Sequence, residues 1–172
     1  IEFRGQSSQF FFDKKSYGFE TWDANDMDMD TSLLGLSSEE DWILYGPFSD
    51  KTMIRNVLMY ELSNQIGMYA SRTRYCELML DGQYKGVYVL LEKIKRDKNR
   101  VAIKKLDEDE IVEPDISGGY ILRLDKFDDN DESIFTSNFA TPNQPLVYQV
   151  VYPNQDNLQL EQFEYIQNYM NA

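Results

Sequence analysis

The sequence predicts an α+β fold: a mostly antiparallel sheet with a packed helix. Three observations carry this. Asp81-Gly82 lies between two long β-prone runs, a strong hairpin signal. Residues 51–66 repeat apolar side chains at helical spacing. Short runs rich in aromatic and β-branched residues lie on both sides of these elements.

Residues 1–22 read as strand, loop, strand. Ile1-Glu2-Phe3-Arg4 runs into the small-residue loop Gly5-Gln6-Ser7-Ser8, and Phe10 to Trp22 forms the return. Strand alternation puts Lys15, Tyr17, Phe19 and Thr21 on one face. Phe10-Phe11-Phe12 is expected to pack between this hairpin and the sheet, and Trp22 and Trp42 to lie in the core. Residues 23–30 are acidic. Asp26, Asp28 and Asp30 alternate like the odd-position ligands of a calcium loop, without its central Gly and terminal Glu. That tract reads as a solvated loop, with a cation site as the alternative.

Asp41-Trp42-Ile43-Leu44-Tyr45 is a buried strand, broken by Gly46-Pro47. In the helix, Ile54, Val57, Leu58, Leu62 and Ile66 define an apolar face. Ser49 or Asp50 can cap it, and Gly67 suits its C-terminal end. Lys51 and Arg55, four apart, are expected to share a face. Arg74 to Leu80 and Gln83 to Leu91 are the hairpin strands, with Cys76 as a buried structural thiol. A mostly basic stretch follows over 92–100, then a short strand at 101–103. An acidic loop at 107–115 precedes a strand near 120–124. A second acidic loop spans 128–132, a strand falls at 146–152, and a helix begins near Leu160 with Phe163, Ile166 and Met170 inward.

Composition excludes several function classes. The 172 residues carry 17 Lys and Arg, 30 Asp and Glu and no His, a net charge of −13. Without His there is no Ser-His-Asp triad and no His-bearing zinc site. One cysteine cannot form an internal disulfide. The anionic balance opposes sequence-independent nucleic-acid binding, and no apolar run approaches a membrane span. The chain reads as a piece of something longer.

Two constellations suit anions. Arg4-Gly5-Gln6-Ser7-Ser8 with Lys14-Lys15 combines a small-residue loop, a guanidinium fork and point charges. Ser49-Asp50-Lys51-Thr52 with Arg55-Asn56 places cations at a helix start. On pattern alone the first is more often an ordinary hairpin turn with surface lysines, and the second a capped surface helix with a solvated Lys and Arg. Val89 to Ile94, where the second hairpin strand leaves the sheet, could offer backbone groups to a planar base; the alternative is that Glu92 is simply the charged end of a strand.

In this order the segments resemble the spore coat protein H (CotH) kinase family. The matching residues are Arg4-Gly5-x-Ser7-Ser8, Lys14-Lys15-Ser16-Tyr17, Leu33-Leu34-Gly35-Leu36, Asp41-Trp42-Ile43-Leu44, Ser49-Asp50-Lys51-Thr52 with Arg55-Asn56, Glu77-Leu78 with Asp81-Gly82-x-Tyr84-x-Gly86-Val87-Tyr88, Glu92-Lys93-Ile94, Asp97-Lys98-Asn99-Arg100-Val101 and Gly118-Gly119-Tyr120.

The resemblance implies an atypical protein-kinase-like fold, with residues 1–125 as the nucleotide-binding N-lobe and 126–172 as a polar insertion and first helix leading to a C-lobe. It implies ATP with Mg²⁺ or Mn²⁺ and a protein Ser/Thr substrate, in a spore-coat, secreted or cell-surface setting. The alternative it leaves is a non-catalytic adhesion or scaffold domain of the same fold. By position, Arg4, Gly5, Ser7 and Ser8 would cover the phosphates. Lys15, then Lys51, would contact them with Arg55 nearby, and residues 89–95, Glu92 included, would approach the adenine. The family's catalytic and metal-holding aspartates have no counterpart in this sequence, so no catalytic or metal residue is assigned. The charge of −13 points to a basic protein substrate.

Overall fold

The computed structural model describes residues 1–125, 133–139, 141 and 145–172. The chain divides into two compact units, Ile1–Ile94 and Lys95–Ala172. The fold is α+β, with a five-stranded and a three-stranded antiparallel sheet. The expected lobe of residues 1–125 spans the first unit and the opening of the second. The expected loop at 128–132 lies outside the described residues.

In the first unit, β1 (Glu2–Arg4), β2 (Ser16–Glu20), β3 (Asp41–Tyr45), β4 (Thr73–Leu80) and β5 (Gln83–Glu92) pair in the order β1-β2-β3-β5-β4. β5 lies between β3 and β4, so its second half is buried from Tyr88 to Glu92. The hairpin turn forms as its residues require, with Asp81 and Gly82 both at positive φ, 49° and 72°.

Each face of the sheet carries its own core. Tyr17, Trp42, Leu44, Tyr88 and Leu90 project to one side and pack with Leu36 from the β2–β3 connection. Cys76 is half-buried against this cluster, and burial pushes its thiol pKa up, as suits a structural role. Ile43, Val89 and Leu91 project to the other side, beneath Val57 and Tyr60 of α2 (Arg55–Gln65).

Five expectations are corrected. The β1–β2 connection holds a short helix, α1 (Ser7–Phe11), and the return strand starts only at Ser16. Phe10 and Phe11 are exposed on α1; only Phe12 finds a ring, Phe48, at 5.3 Å. Trp22 is 55 % exposed, whereas Trp42 is buried. The helix starts at Arg55, so Lys51 precedes it and shares no helical face with Arg55. The sheet takes Val57 and Tyr60, leaving Ile54, Leu58, Leu62 and Ile66 exposed. These corrections share a cause: spacing defines an apolar stripe, but the partner surface decides which part of it is covered.

The cap reading holds in part: the N-cap position is Ile54, without a side-chain cap, while Asp50 takes the first helical amide. Asp50 accepts from the Arg55 amide at 2.9 Å and from the Thr52 amide and hydroxyl at 3.0 and 2.6 Å. These donors, the Thr52 hydroxyl first, hold its carboxyl below the ordinary aspartate range. Gly67 adopts φ 83° just past the helix.

The second unit pairs β6 (Ile121–Arg123), β8 (Val147–Tyr152) and β7 (Ile134–Thr136) under α3 (Leu160–Asn171). Phe135, Val150 and Ile166 form its core, with Phe163 and Met170 packed against them. β7 has no strong sequence signal, and the expected strand at 101–103 is only a bridge between Val101 and Arg96. Gln162 is fully buried. Its Nε2 donates to the carbonyls of Asp107 and Glu110 at 2.7 and 3.3 Å, and its Oε1 accepts from the Gln159 amide at 3.2 Å. Gln162→Leu removes these three hydrogen bonds from part-buried backbone groups and is expected to cost roughly 1–3 kcal/mol, read from urea unfolding of the second unit by hydrogen exchange.

Candidate functional site

A cavity of about 440 Å³ opens on the face of the first sheet that also carries α2. Strand register explains its lining. Glu2 lies opposite Gly18, Arg4 opposite Ser16, Gly18 opposite Ile43 and Glu20 opposite Asp41. Residues directly opposite, and residues two apart, share a face. The walls therefore hold Glu2, Arg4, Gly18, Glu20 and Asp41, and Gly18 keeps the floor low for want of a side chain.

Lys93 follows β5 by one residue and returns to the face of Leu91. Its Nζ pairs with Asp41 Oδ1 at 2.7 Å. Trp22 closes the wall just past β2. Three carboxylates and two cations thus line the cavity. Arg4 is exposed and has no acidic partner among the described residues.

The other expected site residues lie elsewhere. Gly5 takes φ 92°, and a Cβ there would collide with Ser8 Oγ. Ser7 and Ser8 form the first turn of α1. Lys15 folds back on that helix, its Nζ donating to the carbonyls of Gln9 and Phe12, each at 2.6 Å. Lys51 Nζ lies 5.1 Å from the ring centre of Phe48, which stacks on Phe12. Lys15 and Lys51 therefore flank one aromatic pair, each engaged by a carbonyl or a ring. Arg55 pairs with Asp50 at 3.5 Å.

Lys14 is anchored on β5. Its ammonium donates to the Val87 carbonyl and lies 4.5 Å from the ring centre of Tyr88, and burial lowers its pKa. The Tyr88 hydroxyl donates to the Lys15 carbonyl at 3.0 Å, and burial pushes its pKa up to about 12. Gly46 permits this approach, since a Cβ there would lie 2.8 Å from the Lys15 carbonyl oxygen.

Glu92 projects to the face opposite the cavity and is fully buried. Arg72 holds it: Nη2 lies 2.6 Å from Oε1, while Nε and the backbone amide donate to Oε2 at 3.0 and 3.1 Å. This clamp ties the start of β4 to the end of β5.

A family model described as CotH kinase protein matches residues 1–172, the whole chain. The chain belongs to the CotH kinase protein family. No curated protein matches it. In protein kinases generally, a lysine on the third strand pairs with a glutamate of the following helix. This CotH-family chain has no lysine on β3, and Glu61, the glutamate of α2, is exposed and accepts from Gln65 at 2.9 Å.

Of the eight expected site residues, Arg4 lines the cavity. Asp41 and Trp22 are not among the expected site residues; Lys93 falls in the 89–95 segment expected at the adenine, and strand alternation from Leu91 puts it on the cavity face. In the acidic tract, Asp23 accepts from the amides of Asn25 and Met27 at 2.7 and 3.0 Å, closing the loop on itself. Asp30, with Glu39 and Glu40, forms a carboxylate cluster with ligand atoms within 4.8 Å of one another; Asp26 and Asp28 do not join it.

Arg72→Met removes the clamp and leaves the buried Glu92 carboxylate without its cation. The expected loss is about 2–3 kcal/mol, at the low end for a broken buried pair because Arg72 is partly exposed. Urea unfolding of the variant against wild type measures it.

Proposed function

We propose that this chain is the nucleotide-binding part of a CotH-family kinase that transfers phosphate from ATP to Ser or Thr of a protein. The observation that carries the reading is the cavity on the helix-bearing face, walled by β1, β2, β3 and the exit of β5, in a chain that belongs to a kinase family. Its volume suits a small-molecule site. Arg4 is the cation placed to meet phosphate, and its planar fork suits phosphate oxygens.

The donor set also fits a metal-bound nucleotide. A triphosphate entering beside Glu2, Glu20 and Asp41 meets like charge, which a divalent ion relieves. Mg²⁺ or Mn²⁺ would supply that neutralisation, with the carboxylates of Glu2 and Glu20 as oxygen donors on the wall. Lys15 and Lys51 lie outside the cavity lining, Lys15 on the carbonyls of Gln9 and Phe12 and Lys51 over the Phe48 ring. We assign no catalytic residue within the 172.

Calorimetric titration of the chain with ATP tests this. Binding with Mg²⁺ is expected, without phosphate transfer by the chain alone. EDTA is expected to weaken it about tenfold or more, the factor equivalent to one like-charge contact of roughly 1.4 kcal/mol. Absence of binding with either metal ion would refute the reading.

The net charge of −13 leads to a second expectation for the full kinase. Basic Ser/Thr peptides should be phosphorylated faster than acidic ones, and the preference should shrink as salt is raised. Radiolabel transfer to a matched peptide pair measures it.

A further inference from the structure

We infer that Trp22 is the stacking platform for the purine ring, so that the Trp22–Asp41–Lys93 end of the cavity holds the nucleoside and the Arg4 end the phosphates. This rests on the nucleotide reading above and adds to it the side chain that holds the ring.

Four observations converge. Trp22 is 55 % exposed yet lines the cavity. Its backbone is held: Trp22 bridges Asp28, the Thr21 amide donates to the Glu40 carbonyl at 3.0 Å, and the Met29 amide donates to the Thr21 carbonyl at 2.8 Å. The next residue is fixed as well, since the Asp23 amide donates to the Met27 carbonyl at 2.7 Å and its carboxylate accepts two more amides. A large indole left open on a braced loop is therefore a surface presented at low entropic cost.

The third and fourth observations concern polarity and direction. Beside the indole, Asp41 accepts and Lys93 donates, 2.7 Å apart, so one edge of the cavity offers both hydrogen-bonding senses. A purine carries donors and acceptors on one edge and an apolar π-face, which matches a wall with a flat ring beside a donor–acceptor pair. β1 runs toward the α1 connection and ends at Arg4, whereas β2 runs away from it and ends at Glu20 opposite Asp41. Arg4 and Trp22 therefore stand toward opposite ends of the strands, separating the place for charge from the place for the ring.

Two readouts separate stacking from a structural role. Trp42 also borders the cavity but is buried, so the part of the quenching by bound ligand that is lost in Trp22→Phe reports Trp22. Adenosine and ATP should both quench it; inorganic tripolyphosphate should not. Trp22→Ala should weaken adenosine and ATP by the same factor, about 5- to 150-fold for a lost stack of roughly 1–3 kcal/mol. It should leave tripolyphosphate binding unchanged, and Trp22→Phe should recover most of the affinity. Thermal unfolding of both variants checks that the fold is kept.

If wild type binds ATP and Trp22→Ala binds adenosine and ATP equally well, the platform is wrong and the nucleotide reading stands. A loss that affects tripolyphosphate as much as adenosine places phosphate at this end and overturns the orientation. Quenching by a neutral oligosaccharide with none by adenosine overturns the ligand class. A wild-type chain that binds no nucleotide overturns both readings together.

Discussion

The two-residue alternation of side chains along β5 and its exit organises the first unit. Leu90 and Glu92 point to one face of the sheet, Leu91 and Lys93 to the other. Because β5 lies between β3 and β4, both faces of its second half are occupied, and a one-residue slip would exchange them. Glu92 would then enter the cavity and Lys93 the core. The Arg72–Glu92 clamp opposes that slip, since it satisfies a buried carboxylate in only one register. The same register brings Asp41 beside Lys93 and places Gly18 on the cavity floor.

Charge follows from this placement. The chain is strongly anionic, so an anion-binding site depends on local arrangement. The structure distributes its cations differently from a simple cluster. Lys14 and Lys15 brace the β1–β2 connection through carbonyls and a ring, and Arg55 sits on the carboxylate that caps its own helix. Arg4 and Lys93 are the cations on the cavity wall among the described residues. A lysine next to a small-residue loop looks the same in sequence whether it meets a phosphate or a backbone carbonyl. Only the path of the loop separates the two, and here the loop coils into a short helix whose last carbonyls need donors.

Much of the fold was legible because local chemistry specifies it. Asp81-Gly82 forms the turn that its backbone preferences demand, Asp50 caps the helix entrance, and Gly67 ends the helix. Asp41 to Tyr45 is a strand as its run of apolar and aromatic residues requires. The site was less legible. Arg4 was recognised as a candidate cation, but Trp22 was expected in the core. Size and hydrophobicity are the same for a buried indole and for one held at a cavity rim, so composition alone favours the interior. Glu92 shows the converse: a charged strand end reads as exposed, yet a partner twenty residues earlier makes full burial tolerable.

The sequence by itself determined the class of fold, the main hairpin, the central helix and the family segments. These depend on short-range rules of turn geometry, side-chain period and capping, all contained within a few residues. Tertiary structure alone decided which side of each element is covered and which charged groups meet. It joined Arg72 to Glu92 and Asp41 to Lys93, turned Lys15 onto the carbonyls of its own connection, and left Trp22 open. Burial and ion pairing depend on surfaces brought together from distant parts of the chain, and the strand register that brings them together is a property of the assembled sheet.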